Sequence, residues 1–316
     1  MCGLASSRRS SSLPSQSTSE RYRSRYLHEV PSFGWPTDGA GREDESSTNN
    51  EIATTVQGDA MTEHGVQGRV VIVTGAGRGI GRGIARHLAM NGATIAVAEY
   101  RKHRLDEVIA ELDEMGVPNL GVECDVGSRD SVFAMVADTV TAFGRVDGIV
   151  NNAQSFVSAK PLEEVTEAEM DLLYRTGPNG TLWAMQAVFP HMQAQGWGRI
   201  VNVASANGIR GASGFGPYNA SKEAIRALTR TAAREWGRHG IVVNCYCPAA
   251  AGHREPPAEG DIRRDAWNAM YSMHPMDRDG DPEHDIAPPV LFLLSDACRW
   301  MTGETLMLDG GGVMRA

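Results

Sequence analysis

This 316-residue chain reads Val70-Val-Ile-Val-Thr-Gly-Ala-Gly-Arg-Gly-Ile-Gly81 in the segment that decides its fold. The first four residues form a continuous apolar run, which is typical of a parallel strand covered on both faces. The glycines that follow let the backbone turn tightly and approach a pyrophosphate, with the N-terminus of the next helix facing the anion. Glycine turns are common, but this one stands between a strand and a helix, and that context indicates dinucleotide binding.

Strands and helices alternate along the rest of the chain. Apolar residues from Leu105 to Leu112 recur at the spacing of one helix face, directly after the second predicted strand. The predicted strands are Val70–Val73, Thr94–Ala98, Gly121–Val126, Val146–Asn151, Arg199–Ala204, Ile241–Cys245 and Thr305–Leu308. This alternation predicts βαβ units with right-handed crossovers. We therefore expect an α/β fold, a single Rossmann-like domain with a doubly wound parallel sheet of about seven strands.

The composition excludes several classes of protein. Apolar residues make up 41% and charged residues 22%, which is close to the average for a globular protein and unlike a disordered chain. The 39 acidic residues outnumber the 30 basic ones, and no long basic run occurs, so we expect neither nucleic acid nor a membrane surface as a partner. No apolar stretch approaches the ~18–20 residues that span a bilayer.

Residues 1–60 differ from the rest of the chain. They contain twelve serines, and their one apolar cluster is broken by Pro31, so burial cannot offset the entropy of ordering them. We expect a disordered extension over 1–60 and the folded dinucleotide-binding domain over 61–316. The first 25 residues are rich in Ser and Arg like an organelle transit peptide, so organelle targeting stays open beside a cytoplasmic location.

The five cysteines are odd in number and scattered, which predicts no disulfide framework and favours a reducing compartment. Cys245 and Cys247 form a C-x-C pair with no second Cys or His pair nearby. We therefore expect no metal site.

A set of landmarks at fixed spacing resembles the short-chain dehydrogenase/reductase family. The glycine turn has the form TGxxxGxG from Thr74 to Gly81, and Asn151-Asn-Ala follows the fourth predicted strand. Ser205 stands thirteen residues before Tyr218, and Tyr218-Asn-Ala-Ser-Lys222 matches the family's YxxxK pattern. The resemblance covers about residues 68–312 and does not reach residues 1–60.

The resemblance implies that Ser205, Tyr218 and Lys222 are the catalytic residues. Tyr218 and Lys222 are four apart on a helix predicted to begin near Pro217, so they share one face. A free tyrosine has a pKa of ~10, and we expect the nearby ammonium to lower it so that Tyr218 can exchange a proton with an alcohol or ketone oxygen. Ser205 would hydrogen-bond the same oxygen, and Lys222 in this family also holds the nicotinamide ribose.

The resemblance also implies a set of dinucleotide-binding residues: Gly75, Gly77, Arg78, Gly79, Ile80, Gly81, Glu99, Asp125, Val126, Asn152, Ala153, Tyr218, Lys222 and Pro248. Glu99 ends the second strand, where a carboxylate accepts hydrogen bonds from ribose hydroxyls and repels a 2′-phosphate. We therefore expect NAD rather than NADP, although Arg78 and Arg101 would favour the phosphate.

Four positions depart from the family pattern. Gly177 replaces the family's catalytic Asn, Gln154 replaces the last Gly of NNAG, and Ala249 and His253 replace a Gly and a Thr near the nicotinamide. For the proton relay we favour water and main chain in place of the missing amide, with Asn179 as the alternative.

These features predict an NAD-dependent oxidoreductase that interconverts a secondary alcohol and its ketone. The alternative is a dinucleotide-binding sensor or scaffold with little catalytic activity. We expect a small-molecule alcohol or ketone as substrate, and the resemblance implies a homodimer or homotetramer. The predicted substrate region comprises Ala250–Asp285, Gln154–Lys160 and Asn207–Phe215.

Overall fold

The computed structural model describes residues 65–250 and 274–314, which form a seven-stranded parallel sheet with helices on both faces. The strands are β1 (Val70–Thr74), β2 (Thr94–Glu99), β3 (Asn119–Glu123), β4 (Gly148–Asn151), β5 (Gly198–Val203), β6 (Ile241–Pro248) and β7 (Thr305–Leu308). Their order across the sheet is β3-β2-β1-β4-β5-β6-β7. The predicted doubly wound fold is confirmed.

The helices cover the two faces of this sheet. They are α1 (Gly79–Met90), α2 (Lys102–Glu114), α3 (Arg129–Phe143), α4 (Glu167–Tyr174), α5 (Gly180–Gln195), α6 (Ala206–Arg210), α7 (Gly216–Trp236) and α8 (Ala287–Leu294). Along β1, Val71 and Val73 pack into the core on one face, while Ile72 packs into the core on the other. Because both faces are covered, the first four residues of β1 are all apolar.

Two helical regions bear directly on the site. Helix α7 begins at Gly216, with Pro217 in its first turn, where a missing N–H costs nothing. Between α4 and α5 the chain widens into one π-helical turn, Arg175–Asn179, which contains Pro178. None of the helices in the described ranges is long and apolar enough to cross a membrane.

Several predicted strand ends were wrong. Strand β3 begins at Asn119 and ends at Glu123, rather than spanning Gly121–Val126, because its partner strand β2 ends opposite it at Glu99. Strand β6 continues past Cys245 to Pro248 because β7 pairs with its last residues.

Four further strands differ from the prediction by one or two residues at an end. Strands β1 and β2 each continue one residue further, to Thr74 and Glu99, β4 begins at Gly148 instead of Val146, and β5 spans Gly198–Val203 instead of Arg199–Ala204. The predicted domain boundary at residue 61 and most of the predicted substrate segment Ala250–Asp285, with His253, lie outside the described residues.

Candidate active site

The predicted site residues meet at the carboxyl edge of the sheet. The glycine turn follows β1, Glu99 ends β2, and Asn152 follows β4. Ser205 follows β5, and Pro248 ends β6. The strand order reverses between β1 and β4, so this edge contains the crevice where open α/β sheets bind their ligands.

Glu99 is held against the glycine turn. Its Oε2 accepts a hydrogen bond from the Gly77 amide at 3.1 Å, and its Oε1 accepts one from the Arg101 amide at 3.0 Å. The residue is 8% exposed. A Cβ on Gly77 would lie 2.7 Å from this carboxylate, so only glycine fits there. Each carboxylate oxygen keeps a lone pair that could accept a hydrogen bond from a ribose hydroxyl.

Asn152 braces the same turn from the neighbouring strand. Its Nδ2 donates to the Thr74 carbonyl at 2.9 Å, and the amides of Asn152 and Ala153 both donate to Thr74 Oγ1 at 3.0 Å. The side-chain amide of Asn152 therefore fixes the position of the glycine turn relative to β4.

Asp125 and Val126 lie beyond the end of β3, in the loop that leads to α3. Asp125 is exposed, and its Oδ1 accepts a hydrogen bond from the Gly127 amide at 2.8 Å. Arg78, which directly precedes α1, is also exposed. Among the described residues, no group of three or more His, Cys, Asp and Glu side chains could hold a metal ion.

Ser205 and Tyr218 are brought together by the start of two helices. Ser205 caps α6, with its Oγ accepting a hydrogen bond from the Asn207 amide at 3.2 Å, and Tyr218 lies in the first turn of α7. Burial raises the pKa of Tyr218, whereas a hydrogen bond with the Ser205 side chain acts to lower it. Ser205 therefore favours the phenolate form that can accept a proton.

Lys222 lies beside Tyr218 but is deeper in the protein. It is 3% exposed, its Nζ donates to the Val203 carbonyl at 2.8 Å, and Nζ lies 5.6 Å from the centre of the Tyr218 ring. Burial lowers the pKa of Lys222 to about 8. The expectation that this ammonium lowers the pKa of Tyr218 was wrong for the protein alone, since desolvation dominates at both residues.

Phe156 forms an aromatic wall beside the tyrosine, and the sequence reasoning did not single it out. Its ring packs edge-on against Tyr218 with centroids 5.7 Å apart, and it also contacts Phe215 at 6.1 Å. Phe156 is 53% exposed, so its outer face is open to solvent. The signal available in the sequence was only its place in the predicted substrate segment Gln154–Lys160.

Gly177 lies buried in the π-helical turn, and Asn179, which ends that turn, is exposed. The exposure of Asn179 therefore gives no support to the alternative in which this residue carries the proton relay. Gln154 packs directly against Gly177, a contact that the sequence reasoning missed. The two positions are 23 residues apart and no local pattern connects them.

Comparison with known proteins gives concordant matches over this region. Residues 75–312 match a family model described as enoyl-(acyl carrier protein) reductase. The chain is 35% identical to (2S)-[(R)-hydroxy(phenyl)methyl]succinyl-CoA dehydrogenase subunit BbsD of Thauera aromatica, over 78% of this chain and 97% of the relative. It is also 35% identical to 12alpha-hydroxysteroid dehydrogenase of a Clostridium species, over 77% of this chain and 96% of the relative.

Solved structures give the same result. Levodione reductase superposes with a TM-score of 0.74 at 33% identity, covering 78% of this chain and 97% of the other. NAD+-bound xylitol dehydrogenase superposes with a TM-score of 0.71 at 32% identity, covering 78% of this chain and 99% of the other.

Proposed function

Because the chain belongs to the short-chain dehydrogenase/reductase family, we propose that it interconverts a secondary alcohol and its ketone with NAD as the hydride carrier. Its relatives are named as dehydrogenases and reductases of hydroxysteroid, diol and levodione substrates, so oxidoreduction at a CH–OH group is their common chemistry. The proposal rests most directly on one observation, the hydrogen bond between Ser205 and Tyr218 above the buried Lys222.

The three side chains divide the proton chemistry among them. Tyr218 takes the hydroxyl proton when an alcohol is oxidised and returns one to the carbonyl oxygen when a ketone is reduced. Ser205 donates a hydrogen bond to the same oxygen and stabilises the charge that develops on it. Lys222 supplies a positive charge in a dry environment, where an electrostatic interaction is stronger than in water.

A dinucleotide fits the residues at this edge of the sheet. Gly77 leaves the backbone bare beside Glu99, and Lys222 has ammonium hydrogens beyond the one donated to Val203. When bound, NAD supplies the hydride acceptor or donor, and the protein supplies position and electrostatics. Glu99 would hold the adenine ribose, and Lys222 the nicotinamide ribose.

The preference for NAD is assigned to Glu99. Its buried carboxylate would repel the 2′-phosphate of NADP, and like-charge contacts of this kind cost several kcal/mol. Arg78 and Arg101 are exposed, where a contact to phosphate contributes less because water screens it. We expect at least a roughly tenfold higher kcat/KM for NAD, which corresponds to about 1.4 kcal/mol.

The experiment measures kcat/KM for both dinucleotides on a panel of secondary alcohols. Glu99→Ser should remove most of the NAD preference. Glu123→Ser is the matched control, since Glu123 is the register partner of Glu99 on β3 but is exposed. Equal use of NADP by the unaltered protein would contradict the assignment to Glu99.

Gly177 supports a second candidate, a dinucleotide-binding sensor with little activity, because the family's catalytic Asn is missing there. Tight dinucleotide binding without turnover of any alcohol in the panel would favour this second function. We further propose a cytoplasmic homodimer or homotetramer, which size-exclusion chromatography with light scattering would test.

A further inference from the structure

Two phenyl rings stand beside the tyrosine assigned to proton transfer. Phe156 lies edge-on to Tyr218, with ring centroids 5.7 Å apart and ring planes at 71°. Phe215 is tilted by 43° to Phe156, with centroids 6.1 Å apart. Both separations fall in the ~4.5–7 Å range of favourable aromatic pairs. We call Phe156 and Phe215 the phenyl pair, because together they place apolar surface next to Tyr218.

The exposed surface of Phe156 is the first argument that this pair serves a ligand. Phe156 is 53% exposed, although its side chain contains no polar atom. An isolated exposed apolar residue is ordinary on a protein surface and by itself indicates no function. Phe156 differs from such residues because it contacts Tyr218, where the substrate oxygen would bind. An apolar group that covered this exposed surface would displace water and bind favourably.

The backbone on both sides of Phe156 is held by hydrogen bonds. On the N-terminal side, the Ser155 amide donates to Thr176 Oγ1 at 3.1 Å. On the C-terminal side, the Lys160 amide donates to the Gly214 carbonyl at 3.0 Å. Since Gly214 directly precedes the second ring of the phenyl pair, this bond ties the two ring-bearing segments together. The phenyl pair is therefore in place before a ligand arrives, which lowers the entropic cost of binding.

An ion pair lies close to the phenyl pair. Lys160 Nζ is 2.6 Å from Glu169 Oε1, and both residues line a small cavity together with Phe215 and Tyr218. The hydrogen bond from Lys160, with further bonds from Thr166, lowers the pKa of Glu169 to about 2, so the ion pair persists at neutral pH. Two opposite charges at this distance nearly cancel at the position of a ligand. The surface beside Tyr218 therefore favours an uncharged apolar group.

The contact of Phe156 with Tyr218 determines which part of a substrate meets the phenyl pair. The hydroxyl of an alcohol must reach the Tyr218 hydroxyl to exchange a proton. A group attached to the same carbon atom then lies close to the Tyr218 ring, and therefore to Phe156. A flat aromatic ring in that place gains ring–ring contacts, and it loses less conformational entropy than an open chain with as many carbon atoms.

We propose that the substrate carries an uncharged aromatic ring on its carbinol carbon, and that the phenyl pair, chiefly Phe156, selects this ring. The substrate class is then an aryl-substituted secondary alcohol or the corresponding aryl ketone. The inference rests on the proposed function, because it places the reacting oxygen at Tyr218.

The first test compares two alcohols with the same number of carbon atoms, 1-phenylethanol and 2-octanol. We expect the full-length chain with NAD to show at least a roughly tenfold higher kcat/KM for 1-phenylethanol. Phe156→Leu keeps an apolar side chain but removes the ring, so this ratio should fall about three- to tenfold, while kcat/KM for 2-octanol stays within about twofold. Phe156→Tyr, which keeps the ring, should retain the ratio.

Phe292→Leu is the matched control for this substitution. Phe292 is 38% exposed and lies on α8, which packs against the face of the sheet opposite to α7. The same exchange of a phenyl ring for a branched chain should leave both kcat/KM values unchanged there.

The second test needs no turnover and therefore separates this inference from the proposed function. Ligand-observed NMR, with and without NAD, gives the Kd of acetophenone and of 2-octanone, the ketones that correspond to the two alcohols. Acetophenone should bind more tightly than 2-octanone. Phe156→Leu should weaken acetophenone about three- to tenfold and leave the Kd of 2-octanone unchanged.

Equal kcat/KM values for the two alcohols would overturn the inference and leave the proposed function intact. An equal loss for both alcohols in Phe156→Leu would also overturn it, because that result describes a residue that only supports Tyr218. Acetophenone binding that depends on Phe156, without turnover of either alcohol, would support the aryl site and contradict the proposed function. Failure of both ketones to bind and of both alcohols to react would overturn both.

Discussion

A buried charged group lies at each end of strand β5. The group at the amino end is paired with an opposite charge, whereas the group at the carboxyl end has no such partner among the described residues. At the amino end, Arg199 pairs with Asp296 at 3.0 Å and also donates to the Ser295 carbonyl. Trp197 lies between two guanidinium groups, with Arg69 3.8 Å and Arg199 4.2 Å from its ring centroid. Every charge named here has a partner of opposite sign or an aromatic face.

At the carboxyl end, Lys222 is buried beside Tyr218, and its Nζ donates a hydrogen bond to the backbone carbonyl of Val203. Gln154 Oε1 is unsatisfied there, within the described part of the chain. The same strand thus ends in a satisfied network on one side and in unused donors and acceptors on the other. The difference teaches that burial of charge alone does not mark a functional site, and that a buried charge with few partners is the better candidate for one.

The largest effect on kcat should come from removing the Tyr218 hydroxyl at the carboxyl end of β5. Tyr218→Phe keeps the ring against Phe156 but removes the hydroxyl, so kcat should fall about 10²–10⁴-fold while dinucleotide affinity and melting temperature change little. Steady-state kinetics and calorimetry would measure the two quantities. Tyr100→Phe, which alters an exposed tyrosine after β2, should leave both unchanged. Near-normal turnover by Tyr218→Phe would assign the acid/base to another residue.

A substitution at the amino edge of the sheet should change the free energy of unfolding rather than kcat. Asp147 is fully buried, accepts a hydrogen bond from the Val70 amide at 2.9 Å, and pairs with Arg145 and Arg69. Asp147→Ala should lower the free energy of unfolding by about 3 kcal/mol, with kcat retained. Urea titration would measure the loss, and the exposed Asp138 provides the control Asp138→Ala. A loss of kcat without a loss of stability would remove the contrast between the two edges.

Removing the buried charge of Lys222 at the carboxyl edge should raise the free energy of unfolding, whereas Asp147→Ala lowers it. The pKa of Lys222 is about 8 in the folded protein and near 10.5 when unfolded, so the folded state binds fewer protons between these values and stability rises with pH across that window. Lys222→Met should raise the free energy of unfolding at pH 7 by about 2 kcal/mol and abolish this rise. At the same time it should abolish turnover.

Urea titrations of Lys222→Met and of the unaltered protein at pH 7 and pH 10 would measure this change in the free energy of unfolding. The exposed Lys102 forms a surface pair with Asp106, so Lys102→Met serves as a control with little effect at either pH. A less stable Lys222→Met protein at pH 7 would show that Lys222 is a structural cation like those at the amino edge.

The smallest effect should be at Asn179. Because this residue is exposed at the end of the π-helical turn, Asn179→Ala should change kcat by no more than about twofold. The same kinetic assay checks it. A loss of about a hundredfold would instead assign the proton relay to Asn179.

Local patterns in the sequence were sufficient to predict most of the fold. Apolar runs gave the number of strands, and the position of Pro217 predicted the start of α7 almost to the residue. Strand ends were harder, since the last pair of β3 depends on where β2 ends, and the extension of β6 to Pro248 depends on β7. These pairings join segments distant in sequence, and periodicity within one segment carries no information about them.

The residues of the candidate site were predictable from the sequence, but their burial and their long-range contacts were not. The resemblance placed Ser205, Tyr218 and Lys222 at one edge, and the structure brings them together there. The direction of the pKa shift at Tyr218 was not predictable, because spacing shows that a cation is near but not how deeply both groups are buried. The contact of Gln154 with Gly177 depends on the π-helical turn, which no sequence pattern predicted.

The two backbone hydrogen bonds to Glu99 have a consequence for the thermodynamics of association. A glutamate that is fixed only when its ligand arrives gives up about 0.5–1.5 kcal/mol of rotamer entropy at that moment. Glu99 has already lost this freedom during folding, since the amides of Gly77 and Arg101 hold both oxygens. Under the proposed function the adenine ribose would meet a rigid acceptor, and we expect adenosine-containing fragments to bind this half of the crevice with a small entropic loss and without a slow rearrangement step.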